Sequence, residues 1–429
     1  MFTPEKFNTF SLQSRPIVTR ILASAMNAVD ASAAVKNHLH ENPLPPAKHV
    51  FAFGLGKAAC AMTSALADST ELVEGLVITK HADPSIASRL RSRRIAVMEG
   101  NHPVPGMGSV NAGNAALKFV SQLTRDDLLV CLISGGGSAL MTAPRISLDD
   151  LQALTSALLA CGGRIDEINT LRRHLDQLKG GGLARAANGA QIVSLILSDV
   201  VNDSIEAIAS GPTAPDPTMN ADALSIIEKY DLKDKIPAAV LSSLRETPKP
   251  DNRIFERVQN KIIASNSIAL HAAQSEAQAE GFETKILRAD LQGEASLVGR
   301  EMALQLRESI QKMKRPFCLL AGGETTVTLR GKGKGGRNQE LALGAVDALA
   351  GLEDVLLISL ATDGEDGPTD AAGAVVTGES AQTAKRLGMF AADYLSRNDA
   401  HTFFDALGDL IRTGPSGTNV NDLMLCFAF

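Results

Sequence analysis

The sequence predicts an α/β protein of two α/β domains, and three observations predict it. Its 429 residues are too many for one hydrophobic core. Short apolar runs alternate with helix-periodic stretches along most of the chain, the pattern of a parallel sheet with helices on both faces. Over residues 211–255 the alternation lapses into GPTAPDPT, a short helical piece and ETPKPDNR, which read as connecting structure. The expected domains are therefore residues 1–245 and 246–429.

Taken in order, residues 15–37 carry apolar positions at helical spacing with alanine between them and predict one long first helix, ended by three prolines in 41–48. HVFAFGLGKAACAMTSALA then reads as strand, glycine turn and helix. GLVITK (75–80) and RIAVMEG (94–100) are short strands, followed by a helix over 109–123 and the strand LLVCLIS (128–134). Helices within 149–161 and 166–178 lead to a buried strand, QIVSLILSDV (191–200). Beyond the break come KIIAS, a helix near 266–280, TKILR and a helix near 293–313. PFCLLAGGETTVTLR predicts two strands joined by a GGET turn, with a flexible glycine and lysine run after it. A helix opens at Arg337, and the strands VLLISLATDG and LMLCFAF complete the chain.

Composition narrows the function. A net charge of −6 and a pI near 5.8 argue against a general nucleic-acid binder, which needs a positive face. An aromatic content of 4% without tryptophan gives no base-stacking platform. Five cysteines, none in a CxxC pair, suit a reducing compartment. No apolar run approaches the roughly 18 residues of a membrane span. The first 19 residues lack a signal-peptide core. A cytoplasmic protein with no nucleic-acid or membrane partner is expected.

The chemistry lies in glycine-rich loops after strands, where open α/β sheets bind ligands. Gly54-Leu55-Gly56-Lys57-Ala58-Ala59 matches the dinucleotide fingerprint GxGxxA, but the next strand ends in Lys80-His81 and not in the acid that a ribose requires. Lys57 suits a phosphate or a carboxylate; glycines that merely let strand and helix pack are the alternative. Ser134-Gly135-Gly136-Gly137-Ser138 reads as a nest for an oxyanion or phosphate and is neither a Walker A loop nor GxSxG. Lys179-Gly180-Gly181-Gly182 has more glycine than a helix C-cap needs and is expected to cradle phosphate. Glu324 in the GGET turn, the run Lys332 to Arg337 and Asn338 at a helix start form another anion-binding candidate. Asp199, Asp203 and Asp363, with Asp366 and Asp370, follow strands, where carboxylates hold Mg²⁺, act as base or cap turns. His102 in NHPVPG reads as a hydrogen-bonded turn histidine. Such loops, cations and acids are the ingredients of phosphoryl transfer.

GLGKA, NHPVPG, LISGGGSAL, HLDQLKGGGLA, LSDVVND, IASGPTAPDPT, GGETTVTL, GKGGRNQELAL, TDGEDGPTDAAGA and GPSGTNVNDL occur in that order. From about Arg15 onward the chain thereby closely resembles the class II glycerate 2-kinase family, whose C-terminal half is the MOFRL domain. The resemblance implies a Rossmann-like N-terminal domain, a distinct α/β C-terminal domain and an active site in the cleft between them. It implies ATP- and Mg²⁺-dependent phosphorylation of D-glycerate, usually to 2-phosphoglycerate. The family's essential lysine falls on Lys57 and its essential arginine on Arg337. Ser416 replaces a usual threonine and Asn202 a common glycine, and neither change removes a charge. Some relatives are labelled hydroxypyruvate reductase, so an NAD(P)H-dependent reductase is the alternative. Glycerate and a nucleotide are the expected small-molecule partners, and a homodimer is left open.

Overall fold

The stretch expected as one long helix is two. α1 (Pro16–Ala28) begins with proline at its first position, where no amide hydrogen is needed, and stops at Val29. α2 (Ala31–Glu41) resumes after Asp30. The break matters because the chain, in a computed structural model that describes residues 2–429, forms two compact units. One is Ala31–Ile263, and the other joins the residues up to Asp30 to Ala264–Phe429. α1 and α2 thus belong to different units. The two units meet at 263–264, and the residues up to Asp30 go with Ala264–Phe429.

In the unit Ala31–Ile263, α2 is followed by β1 (His49–Leu55), α3 (Ala59–Ser69), β2 (Glu74–Thr79), α4 (Pro84–Ser92), β3 (Ile95–Glu99) and α5 (Met107–Val120). Then come β4 (Asp127–Ile133), α6 (Gly137–Leu140), α7 (Leu148–Ala160), α8 (Ile165–Leu175), α9 (Gly182–Ala186) and β5 (Gln191–Leu197). α10 (Asn220–Lys229), α11 (Ala238–Ser243) and β6 (Val258–Ala264) complete it. The sheet order is β3-β2-β1-β4-β5-β6, and the pairs from β3 through β5 are parallel. Sequential order reverses between β1 and β4, and in open α/β sheets ligands bind beyond the carboxyl ends of the strands at such a switch point.

Continuous apolar runs make these strands central: every residue of β4 is buried. Phe53, Leu129, Cys131 and Ile133 pack with Ala112, Ala116 and Val120 of α5. The segment 211–255 is not a linker. Ala223, Ile226 and Ile227 of α10 and Val240 of α11 share a core with Leu154, Leu158, Ile168 and Leu171 of α7 and α8.

The other unit carries α12 (Asn266–Ala279), β7 (Glu283–Leu291), α13 (Ala295–Ser309), β8 (Phe317–Gly323), α14 (Arg337–Leu349) and β9 (Val355–Ala361). β10 (Gly373–Thr377), α15 (Ser380–Arg386), α16 (Ala391–Ser396), α17 (Ala400–Leu407), β11 (Leu410–Ile411) and β12 (Asp422–Ala428) follow. Its sheet, β11-β10-β9-β12-β8-β7, is parallel only between β7 and β8. The last strand contributes two of its antiparallel pairs, since β12 runs between β8 and β9, and the β9–β10 and β10–β11 pairs are antiparallel as well. TTVTLR is not a strand, and Thr326 makes only an isolated bridge to Glu294. α1 packs against α12, Ser11 donates to Asp409, and the Thr418 hydroxyl donates to the Val29 carbonyl. Among the described residues no helix is long and apolar enough to cross a membrane.

Candidate functional site

In the unit Ala31–Ile263, four strand ends converge. Gly56, after β1, has φ +120°, and a Cβ there would stand 2.7 Å from the Ser134 carbonyl carbon, so only glycine lets the two loops touch. The contact is bonded: the Ser134 amide donates to the Leu55 carbonyl at 2.8 Å, the Lys57 amide to the Gly135 carbonyl at 3.0 Å, and the Ala58 amide to Ser134 Oγ at 3.0 Å. The Lys57 side chain is exposed at this junction. Gly135 lies directly on Asp199, beyond β5, since a Cβ would stand 2.5 Å from the carboxyl carbon. Gly136, at φ +82°, faces His102 beyond β3, and its Cβ position is 3.3 Å from His102 Nε2 and 3.5 Å from Lys57 Cε.

The electrostatics follow from that crowding. Burial, then the Lys57 and Lys80 ammoniums, hold the His102 imidazole below its ordinary pKa. Burial raises Asp199, opposed by its own amide and by Lys57. Gly56, Lys57, Ser134, Gly135, Gly136 and Asp199 therefore meet, Gly137 sits against Leu55 and Ala209, and Gly54 lies within β1 against Thr63 and Val77. His102, read from sequence as a turn residue, joins them; its signal was the NHPVPG segment at a strand's carboxyl end.

Other expected phosphate ligands are committed elsewhere. Lys179 is 3% exposed, and its ammonium donates to Asp176 Oδ2 and the Met141 carbonyl, both at 2.9 Å. The amides of Gly180 and Gly181 donate to the carbonyls of Ser210 and Gly211 at 2.9 and 2.8 Å. This glycine run was expected to cradle phosphate; it clamps the SGP turn instead. Ser138 is bonded at 2.7 Å to Ser210. Asp203 stands in a tight left-handed turn at φ +55°.

The other unit gathers its own cluster where β8, β9 and β12 meet the start of α14. Asp422 opens β12, level with Gly323 and Ala361 of its neighbours, and is wholly buried. It grips Arg337 in a two-pronged pair, Nε to Oδ2 at 2.6 Å and Nη2 to Oδ1 at 2.9 Å, while Nη1 lies 3.3 Å from Glu324. Burial opposes the Arg337 charge, and the Asp422 pair outweighs it, so the guanidinium is held cationic with 29% of its side chain exposed. Asp363, half-buried at the end of β9, adds negative charge beside Asp422.

Asn338, expected at the ligand, is wholly buried: its amide donates to Asp366 and its carbonyl accepts from Ser359. Asp366 caps α14 from 28 residues away, accepting the amides of Asn338 at 3.0 Å and Gln339 at 2.9 Å. The glycine run is not flexible. Arg330 and Gly331 amides donate to Asn398 Oδ1 at 2.6 and 3.0 Å, Gly333 to the Arg397 carbonyl at 2.9 Å, and Lys334 to Asp399 Oδ1 at 3.2 Å. A Cβ on Gly331 or Gly333 would strike that 397–399 backbone. Asp422 and Asn398 were missed: Asp422 lies within the GPSGTNVNDL segment but was not singled out there, and Asn398 carries no local motif. Among the described residues there is no group of three or more His, Cys, Asp or Glu that could hold a metal ion.

Comparisons with known proteins bear on this arrangement. The domain of unknown function DUF4147 matches residues 17–245 and the MOFRL family matches 317–422. The chain is 39% identical to a D-glycerate 2-kinase of Thermotoga maritima, over 99% of each protein. It is 41% identical to an Agrobacterium vitis protein labelled a hydroxypyruvate reductase, over 96% of this chain and 94% of that one. The crystal structure of a Thermotoga maritima glycerate kinase superposes with a TM-score of 0.90 at 39% identity, over 98% of this chain and all of the other. By class, then, these matches place the chain among kinases whose phosphoryl acceptor is an alcohol group. The chain belongs to the class II glycerate 2-kinase (MOFRL) family.

Proposed function

We propose that this protein transfers the γ-phosphoryl group of ATP to D-glycerate, giving 2-phosphoglycerate. The convergence of Lys57, Asp199 and the turn Gly135-Gly136-Gly137 at the β1/β4 crevice carries this reading. Phosphoryl transfer is catalysed mainly by positioning and charge neutralisation, and these groups suit both. The ammonium of Lys57 meets the glycerate carboxylate or the moving phosphoryl group. The glycine turn receives anionic oxygen, and in the other unit Arg337, braced by Asp422, offers a fixed cation to an anionic group. The strand order β3-β2-β1-β4-β5 supports a Rossmann-like reading of this unit. For magnesium the residues fit a nucleotide-borne ion, held by phosphate oxygens and by one or two carboxylates such as Asp199 or Asp363, better than a cage of protein ligands. Glycerate and nucleotide are the partners, and the cytoplasm is the compartment.

One coupled assay tests the reading. Glycerate with ATP and Mg²⁺ should yield ADP and phosphoglycerate. Substituting Lys57 or Arg337 by Ala should lower kcat by roughly 10²–10⁴ with the fold intact. Near-normal turnover would make the substituted residue a bystander. The fingerprint Gly54-x-Gly56-x-x-Ala59 and the reductase label on one relative favour a second reading. NAD(P)H oxidation with hydroxypyruvate and indifference to ATP would establish it.

A further inference from the structure

We propose that His102 is a further catalytic residue, whose neutral imidazole takes the proton of the acceptor hydroxyl as that oxygen attacks the γ-phosphorus. The inference rests on the kinase reading and deepens it. His102 stands on the loop between β3 and α5, at the same end of the sheet as the loops after β1, β4 and β5. Its Nε2 and the Lys57 Cε lie within 3.5 Å of one point above Gly136, so imidazole and ammonium border the same space. That space exists because residue 136 has no side chain. Asp199, the other base candidate here, has its carboxylate against the Gly135 backbone, 2.5 Å from where a Cβ would stand. His102 is half-buried, which leaves an edge open to a ligand.

The surrounding charges suit a proton acceptor. Lys57 beyond β1 and Lys80 beyond β2 face the imidazole, burial adds to their effect, and all three favour its neutral form. Asp199 beyond β5 feels the same Lys57 charge. In the step, the acceptor O–H bond breaks and its proton passes to Nε2. A bond forms from that oxygen to the γ-phosphorus, and the bond from the γ-phosphorus to the bridging oxygen breaks, its electron pair leaving with ADP. The imidazolium releases its proton to water after the product departs. Cleavage dominates a loose transition state, so the base contributes by orienting the hydroxyl and by late proton transfer.

The test begins with the unmodified protein, D-glycerate, ATP and Mg²⁺; absence of phosphoglycerate would sink the kinase reading itself, independently of His102. Given turnover, His102→Gln should lower kcat by roughly 10²–10⁴ while KM for ATP stays within about twofold. The fall of kcat/KM on the acid side, centred below pH ~6.5 in the unmodified protein, should vanish in the variant. His102→Ala should recover part of its kcat when free imidazole is added, a response that a folding defect cannot give. The proposal is overturned if His102→Gln keeps kcat within about threefold, keeps the acid limb, or shows its loss in KM alone. It is equally overturned if imidazole fails to raise kcat of a folded His102→Ala protein.

Discussion

Arg337 and Asp422 form a two-pronged ion pair at the start of α14. A lysine at 337 keeps the charge but cannot fork onto both carboxylate oxygens. Arg337→Lys should therefore lower kcat by roughly 10²–10³, with loss of positioning as the cause. Asp422→Ala should cost about 3–5 kcal/mol of stability, by leaving a largely buried guanidinium without its partner, and denaturant unfolding reads this directly. Gly56→Ala should also destabilise, by about 3 kcal/mol, because its backbone conformation and its contact with Ser134 both exclude a Cβ. Glu340 gives a pH dependence. It is 4% exposed, and burial raises its carboxyl to about 7 against the lowering effect of the Asn398 amide at 3.2 Å. The folded protein therefore holds that proton where the unfolded chain releases it, and the resulting stability is lost as pH rises from about 4.5 through 7. Glu340→Gln keeps the bond and removes the titration. Its stability advantage should grow over that window to of order 3 kcal/mol and stay flat above it. Melting curves at several pH values check this. Lys57 and Arg337 stand out in the sequence because glycines and helix starts flank them. The pairing of Arg337 with Asp422 does not, because the two lie 85 residues apart.

At the scale of elements, the Lys332–Arg337 run shows how a glycine-rich segment becomes ordered. The amides of Arg330, Gly331, Gly333 and Lys334 donate to residues 397–399, and Asn398 holds the anchor at φ +55°. Asn398→Ala removes the acceptor for two amides and the donor to the Thr328 carbonyl. Hydrogen exchange at 330–334 should accelerate at least tenfold while α12 and β8 keep their protection, and KM for ATP should rise more than kcat falls. Strand and helix positions were legible wherever an apolar run or a period of 3.6 went unbroken, as in β4 and β5 and in α12. TTVTLR failed although its residues favour strands, because β12 takes the place beside β8 that a hairpin partner would need. The same long-range insertion hid the antiparallel character of the second sheet.

Across the whole molecule, the chain passes between its units twice, near Asp30 and near Ile263. The alternation of strands and helices announced two α/β domains, but it carries no information about where α1 docks. Val18, Ile21, Leu22, Ala25 and Met26 of that helix are buried in the unit that ends at Phe429. Replacing Ile21 and Leu22 together by Ala should cost about 4–8 kcal/mol, and the protection lost in hydrogen exchange should fall on α12 and its neighbours and not on β1 to β5. One continuous piece, 31–263, is thus inserted within the other unit. During synthesis the insert can collapse while the ribosome is still working, whereas the opening helix must wait for some 230 further codons before α12 emerges, and longer for the final strand. At roughly 5–20 residues per second, the delay to that last strand is on the order of 20–80 s. Throughout it an apolar helical face has no native partner, so nascent chains stalled before α12 should bind a chaperone that the finished protein no longer needs.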